Sequence, residues 1–352
     1  MKLNQDKVVD WIRDRAQREF PTDVALVLLY GSYVNKTTHR LSDVDCYFIP
    51  ATDRGYAFAE TFIVDGIGYD VFPMSWERVG RIADLGEPLL PLVGDAEILY
   101  ARSTKDIERF NALKNRMVDR LADVEIRNAK ARTQLENAAE ELRDVSASTN
   151  LHDVRKHAGA AFLRLADAIV LANGTYFHQG LKRHFENLAD LPRIPAGFHG
   201  NYTAAIRAKT PEELLDRLQS ALDATARFLD APIPKTNPST DERHTPSTPD
   251  PDELVSFYEE LLSSFNKIRV NAEQGEWRMA FVNGVNLARE IDGVCREFGF
   301  PPLMFLDVYD PDDLTAFRKR VEIVDKELTA LIERYKPIPR HLDFDSFLHS
   351  LR

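Results

Sequence analysis

Residues 29–48 contain the stretch that decides the fold: Leu29-Tyr30-Gly31-Ser32, then ten residues, then Asp43-Val44-Asp45-Cys46-Tyr47-Phe48. The Gly-Ser pair ends one apolar run, and the Asp-x-Asp triplet opens the next. Side chains on a strand alternate between its faces, so the pattern predicts Asp43 and Asp45 on one face and Val44 on the other. Two adjacent carboxylates repel each other unless a cation lies between them, and oxygen ligands suit Mg²⁺. The stretch therefore predicts a divalent cation site at the start of a strand.

A third carboxylate follows on a predicted β-hairpin over residues 61–72. The Asp65-Gly66 pair supplies the positive-φ turn, and apolar residues flank it. If the second strand of this hairpin lies beside the strand of the acidic pair, Asp70 reaches the same metal ions. The alternative is a surface strand with solvated acids beside an unrelated turn, which leaves the spacing unexplained.

The order Gly-Ser, Asp-x-Asp and a later Asp resembles the pattern of the nucleotidyltransferase superfamily. The resemblance implies a metal-dependent enzyme that moves a nucleoside monophosphate, with AMP the expected group, from a nucleoside triphosphate to an acceptor. It also implies that Asp43, Asp45 and Asp70 are catalytic and hold two Mg²⁺ ions. Such an ion pair stabilises the attacking and leaving oxygens of an in-line displacement.

The same resemblance implies a triphosphate site before the acidic pair, with ATP as the expected co-substrate. Gly31 allows the backbone to approach the β- and γ-phosphates closely, and Ser32 donates to one of them. Lys36 and Arg40 in the intervening loop are candidates for further contacts with the triphosphate, and Ser42 for orienting Asp43 or the ribose. Their alternative roles are solvated loop charges for the two cations and turn chemistry for the serine.

The distribution of elements predicts an α+β fold, in which a small mixed β-sheet nucleotidyltransferase domain is followed by all-helical bundle domains. We expect the catalytic domain over residues 1–118, a helical substrate-binding-type domain over 119–231, a Pro-rich linker over 232–250 and a second helical domain over 251–352. Local patterns place the principal elements as follows: helices over 4–19, 75–85, 252–273, 276–298 and 311–336, and strands over 24–30, 41–49 and 97–100.

Residues 151–230 loosely resemble, in arrangement, the helical substrate domain of kanamycin-type antibiotic nucleotidyltransferases. That resemblance implies an additional acidic base from the helical region, and it leaves four candidates open, namely Glu136, Glu140, Glu141 and Asp167. Solvated helix charges are the alternative for each of them. Lys182 and Arg183 are candidates for a phosphate contact.

Composition narrows the possible partners. Only two cysteines, Cys46 and Cys295, are present, which excludes a disulfide framework or a Cys-based zinc site. The net charge is −11 without a visible basic stripe, which argues against nucleic acid as the partner and favours a small or cationic acceptor. No apolar signal region or membrane-length run is present, so we expect a cytoplasmic protein with no membrane partner. The sequence leaves the oligomeric state open.

Three functions remain open at this point. The leading one is nucleotidylation of a hydroxyl on a small molecule, with aminoglycoside-type antibiotics as the best-known acceptors of this architecture. The second is transfer to a protein or a tRNA, which resembles the toxin–antitoxin nucleotidyltransferases. The third is a non-catalytic helical interaction protein with a vestigial nucleotide domain.

Overall fold

The N-terminal part of the chain forms a sheet with flanking helices. The computed structural model describes residues 4–145, 150–178, 180–232 and 248–351. The first elements are α1 (Asn4–Glu19), β1 (Val24–Tyr30), α2 (Gly31–Val34), β2 (Asp45–Pro50), β3 (Glu60–Val64), β4 (Ile67–Pro73), α3 (Trp76–Ala83), α4 (Pro91–Gly94), β5 (Glu97–Ala101) and α5 (Thr104–Ala122).

The rest of the described chain is helical. Its elements are α6 (Val124–Val145), α7 (Leu151–Ala172), α8 (His184–Ala189), α9 (Phe198–Arg207), α10 (Pro211–Phe228), α11 (Pro251–Glu273), α12 (Trp277–Phe298), α13 (Thr315–Ile332) and α14 (Phe344–Ser350). None of the helices in the described ranges has both the length and the apolar character needed to span a bilayer.

The sheet is small and mixed, with the strand order β3-β4-β2-β1-β5. β2 and β4 run parallel, and the other neighbouring strands are antiparallel. The predicted α+β fold, a small mixed sheet followed by helices, is confirmed. Tyr30 at the end of β1 pairs with Asp45 at the start of β2, and Cys46 pairs with Val71 of β4. This register brings the end of β1, the start of β2 and the middle of β4 side by side.

Both faces of the sheet are buried. On one face Val44, Cys46 and Phe48 join an apolar cluster that includes residues of α1 and α14, as the alternation in the sequence predicts. Within this cluster the ring of Phe347 stacks on Phe62 with centroids 3.9 Å apart. The opposite face belongs to a second core that continues through the helices. The C-terminal helix therefore completes the core beneath the N-terminal sheet.

Helix α11 docks onto the hairpin of β3 and β4 through specific polar contacts. The Thr61 hydroxyl donates to the Glu259 carboxylate at 2.7 Å, and the Asn266 amide donates to the Gly66 carbonyl at 3.0 Å. Gly68 faces the helix so closely that a Cβ there would lie 2.0 Å from the Glu259 carbonyl oxygen. The helix therefore sits at its present distance because residue 68 has no side chain.

Gly68→Ala is expected to destabilise the protein by about 2 kcal/mol, because backbone atoms of α11 must move away from β4. The measurement is the free energy of unfolding in urea. Gly293→Ala, inside α12 with open space around its Cβ position, is the matched control. It should leave stability unchanged or raise it by up to about 1 kcal/mol. Equal effects of the two substitutions would contradict the close packing of α11 on β4.

The predicted start of the acidic strand is wrong. β2 begins at Asp45 and not at Leu41, so Asp43 lies in the loop just before the strand. A turn precedes it, in which the Ser42 N–H donates to the His39 carbonyl at 3.0 Å. The register with β1 also ends at Tyr30, so residues before Asp45 have no partner on that strand. The alternation of apolar and polar residues continues before Asp45, so the sequence pattern predicted a longer strand than the pairing with β1 supports.

The sequence Asp-Pro-Asp, typical of a helix start, occurs at residues 250–252 and 310–312 and has a different outcome at each place. At α11 the Asp250 carboxylate accepts from the Asp252 N–H, which confirms the predicted helix start. The predicted start of the last long helix at 311 is wrong, because α13 begins at Thr315. There Asp310 accepts from the Asp312 N–H within a preceding turn. The motif caps a turn in both places, and only the first turn continues as a helix.

The predicted Pro-rich linker over 232–250 lies mostly outside the described residues, which omit 233–247. The predicted divisions at 118 and 231 stay predictions. The apolar core that contains one face of the sheet is continuous through α7, α10, α11 and α12.

Candidate active site

Residues of three strand segments, among them three acids, line one cavity of about 300 Å³. Tyr30 contributes from the end of β1, Asp45 from the start of β2 with Asp43 just before it, and Asp70 from β4. Helices α11 and α12 cover the opposite side. The structure thus brings the three predicted acids together, although their roles stay predictions.

The pleat of β4 explains why Asp70 faces this cavity. Gly68, Asp70 and Phe72 alternate along the strand, and all three line the cavity. The intervening Tyr69 and Val71 are buried in the cluster on the other face of the sheet. Because β4 runs parallel to β2 in register, Asp70 lies next to the strand that carries Asp45.

The Gly-Ser pair holds the Asp45 carboxylate. The Ser32 backbone N–H hydrogen-bonds to this carboxylate. Gly31 has φ +70°, and a Cβ on it would lie 1.9 Å from Asp45 Oδ2. Gly31 is therefore required both by its left-handed backbone and by the close approach of the acid. In this structure the backbone of Gly31 and Ser32, which was predicted to approach the phosphates, lies against the Asp45 carboxylate.

The surroundings disfavour the charged forms of two of the acids. Desolvation, with a further contribution from the Asp43 carboxylate, raises the pKa of Asp45 to about 7. Desolvation, together with the charges of Glu260 and Asp43, raises the pKa of Asp70 to about 8. Ionised carboxylates in this position are stabilised by a nearby cation. The cavity therefore has the electrostatic character of a cation site.

The raised pKa values predict how stability changes with pH in metal-free buffer. A carboxyl group whose pKa is higher in the folded than in the unfolded state binds more protons when folded, so stability falls as pH rises. We expect the free energy of unfolding to decrease between about pH 5 and about pH 9, through the pKa values of Asp45 and Asp70. Urea unfolding in EDTA across this range is the measurement. Asp45→Asn/Asp70→Asn should flatten the profile, and an unchanged slope would contradict the assignment.

Three charged residues that no sequence motif indicated complete the cavity. They are Glu260 and Lys267 of α11 and Glu290 of α12. Glu290 accepts a hydrogen bond from the Ser264 hydroxyl at 3.3 Å. The lining thus holds five carboxylates and a single lysine. Only the packing of α11 on β4 reveals these residues, because no local spacing relates them to the acidic triplet.

The loop residues predicted to bind the nucleotide do not line the cavity. Arg40 forms an ion pair with Glu273 of α11 at 2.8 Å. The buried Ser42 hydroxyl accepts from the His39 N–H at 2.8 Å, which is turn chemistry. Lys36 is exposed with a φ of 53°. Their predicted contacts with a nucleotide remain predictions.

The candidate bases between residues 119 and 231 lie elsewhere. Glu136 and Glu140 are exposed on α6, and Glu141 pairs with Arg289 at 2.6 Å. Asp167 lines a separate small cavity, and its desolvation raises its pKa to about 7. The acids that do reach the main cavity come from the helices after residue 250.

The two candidate phosphate ligands of that region differ in position. Lys182 donates to the Thr37 carbonyl in the loop that follows the Gly-Ser pair. Its positive charge counteracts the rise in the pKa of Asp45, so it lies near the acidic cluster. Arg183 is exposed.

The residues present fit a divalent cation by their donor chemistry. Asp43, Asp45 and Asp70 offer only oxygen ligands, which magnesium prefers, from adjacent strand segments. Across the described residues, however, no group of three or more His, Cys, Asp or Glu side chains is already arranged around a metal position. Asp45 is directed at the Ser32 N–H, and Lys267 supplies positive charge.

Comparison with known proteins agrees with this architecture. Residues 9–72 match the family model of the nucleotidyltransferase domain. The matched segment contains the Gly-Ser pair, both acids of the triplet and Asp70. The N-terminal part of the chain is therefore similar to a nucleotidyltransferase domain. No curated protein matches the chain.

Proposed function

We propose that this protein transfers a nucleoside monophosphate, with AMP the expected group, from a nucleoside triphosphate to a hydroxyl group of a small molecule. One observation carries the proposal. Asp43, Asp45 and Asp70 converge from neighbouring strand segments on one cavity, beside the Gly-Ser pair of a nucleotidyltransferase domain. The donor set and the raised pKa values of two of the acids support a cation-dependent reaction.

Each residue of the acidic cavity has a separate role in this proposed reaction. The acceptor oxygen forms a bond to the α-phosphorus, the bond between the α-phosphorus and the bridging oxygen breaks, and pyrophosphate leaves. Asp70, which lines the cavity beside Asp43 and Asp45, takes the proton of the acceptor hydroxyl. Asp43, Asp45 and Asp70 would hold two Mg²⁺ ions, which would supply charge stabilisation for the attacking and leaving oxygens. Ser32 donates to the triphosphate.

The cavity supports a small and positively charged acceptor. Its volume of about 300 Å³ lies at the lower end of the range for small-molecule sites. On the helical side, Glu260 and Glu290 add negative charge beyond the predicted metal ligands. A molecule with both amino and hydroxyl groups complements this lining. Aminoglycosides have this chemistry, which agrees with the resemblance to the kanamycin-type enzymes.

Label transfer tests the proposal directly. The purified protein is incubated with Mg²⁺ and ATP labelled at the α-phosphate, together with a panel of aminoglycosides and lincosamides. We expect the label on a panel member, with release of pyrophosphate and loss of transfer in EDTA. Lincosamides serve as a comparison, because they carry hydroxyl groups with fewer amino groups.

Two other outcomes separate the alternatives. Label that appears on protein or RNA after incubation with a cell lysate, and on no small molecule, would replace the proposal by transfer to a macromolecule. A chain that binds neither nucleotide nor divalent cation, and whose properties Asp43→Asn leaves unchanged, would be a non-catalytic interaction protein.

A further inference from the structure

Lys267 is the single lysine among the described residues that line the acidic cavity. It lies on the face of α11 that is turned to the strands, near Ser263 and Ser264. Desolvation alone lowers the pKa of a lysine, but the charges of Asp43, Asp45 and Glu290 outweigh it, and the pKa of Lys267 is raised. The fold therefore places the positively charged ammonium group of Lys267 among the predicted metal ligands.

The attraction between Lys267 and the acids is mutual. Lys267 lowers the pKa of Asp45 and of Glu290 against the effect of desolvation. Within the described ranges, no ion pair at contact distance joins its ammonium group to a carboxylate. The ammonium is thus held by the combined field of several acids. Its flexible four-carbon stem allows it to move within the cavity.

We propose that Lys267 is the tethered counterion of the acidic cluster, which neutralises the cluster before metal binding and withdraws from Asp43 and Asp45 when a divalent cation enters. The inference rests on the proposed function in one respect, namely that these acids bind a divalent cation. A lysine and a divalent cation in one cavity of this size repel each other, so entry of the metal has to displace the ammonium. Lys267 then acts as a positioning residue, because its charge balances the carboxylates of the cavity only while the metal is absent.

Metal binding without nucleotide tests this role. Mn²⁺ affinity of the full chain is measured by electron paramagnetic resonance, with Lys267→Met as the variant that keeps the length of the side chain and removes its charge. We expect the variant to bind Mn²⁺ at least about tenfold more tightly than the wild type. Its metal-free form should unfold at a lower temperature, and saturating Mn²⁺ should raise its Tm more than it raises that of the wild type.

Two further variants control the measurement. Lys326→Met removes the same charge from an exposed position on α13 and should change the affinity less than about twofold. Lys267→Arg keeps the charge and should retain the weaker affinity of the wild type. If Lys267→Met does not fold, Lys267→Gln takes its place.

The outcomes distinguish this inference from the function on which it rests. If Lys267→Met binds Mn²⁺ as weakly as the wild type while Asp45→Asn loses binding, the counterion role is wrong and the metal site stands. If neither protein binds Mn²⁺ in a manner that depends on Asp45, the metal site itself is wrong, and the role of Lys267 fails with it.

Discussion

Asp45→Asn is expected to lower kcat for nucleotidyl transfer by about 1,000-fold or more, the scale of losing a principal electrostatic group at an active site. Asp45 lines the cavity with the other two acids, starts β2 and accepts from the Ser32 N–H. Asparagine keeps the shape of the side chain but lacks the charge that a divalent cation needs. Transfer of the α-phosphate label, measured under single-turnover conditions, reports the loss.

Asp45→Asn should lower activity, but it should not lower the free energy of unfolding. Because desolvation raises the pKa of Asp45 to about 7, the charged carboxylate at pH 8 is disfavoured in the folded protein. Asp45→Asn should therefore keep or increase the free energy of unfolding at pH 8 in EDTA. Glu136→Gln, an exposed acid on α6, is the matched control and should retain activity. If Glu136→Gln lost activity and Asp45→Asn retained it, the reaction would not take place in the acidic cavity.

Gly31→Ala is the second substitution with a large expected effect, a loss of at least about 100-fold in kcat. The added Cβ would lie 1.9 Å from Asp45 Oδ2, so the carboxylate has to leave its position. The left-handed backbone at φ +70° adds strain, and together the two effects should destabilise the protein by about 2 kcal/mol. Label transfer and urea unfolding measure the two consequences.

Gly275→Ala separates backbone strain from the displaced carboxylate. Gly275 has a similar φ of +72°, but nothing lies within 4 Å of its Cβ position. We expect this control to cost about 1 kcal/mol of stability and to leave kcat within about twofold of the wild type. An active Gly31→Ala variant would show that the position of Asp45 next to Gly31 does not matter for the reaction.

Local patterns in the sequence predicted the elements that depend on local physical chemistry. The apolar run from Val24 to Tyr30 is a strand with these bounds, and the periodic segment from Asn4 to Glu19 is a helix. A helix was predicted to begin at residue 75, and the Ser75 hydroxyl caps α3 by accepting from the Arg78 N–H at 3.2 Å. In each of these segments, propensity, period and capping all favour the same structure, so tertiary contacts had nothing to override.

The wrong predictions arise where tertiary pairing decides. The acidic strand begins at Asp45 because β1 ends at Tyr30, and nothing near Leu41 in the sequence shows where the partner strand stops. The same limit applies to the cavity. The hydrogen bond between Gly66 and Asn266, which fixes α11 over the hairpin, joins residues 200 positions apart. A single sequence therefore does not show that Lys267 reaches the acids of β2.

For the same reason, the sequence left open which acids of the helical region reach the cavity. The resemblance to kanamycin-type enzymes directed attention to acids between residues 119 and 231. The structure brings Glu260 and Glu290 to the cavity instead, from α11 and α12. Charged residues on an amphipathic helix look alike in sequence whether they face solvent or a cavity, and only the partner surface distinguishes them.

A crystal structure with Mg²⁺ and a non-hydrolysable nucleoside triphosphate tests the central claim most directly. We expect metal ions bound by Asp43, Asp45 and Asp70, with the triphosphate beside Gly31 and Ser32. Binding of the nucleotide elsewhere, or metal ions that leave these three carboxylates without contact, would contradict it.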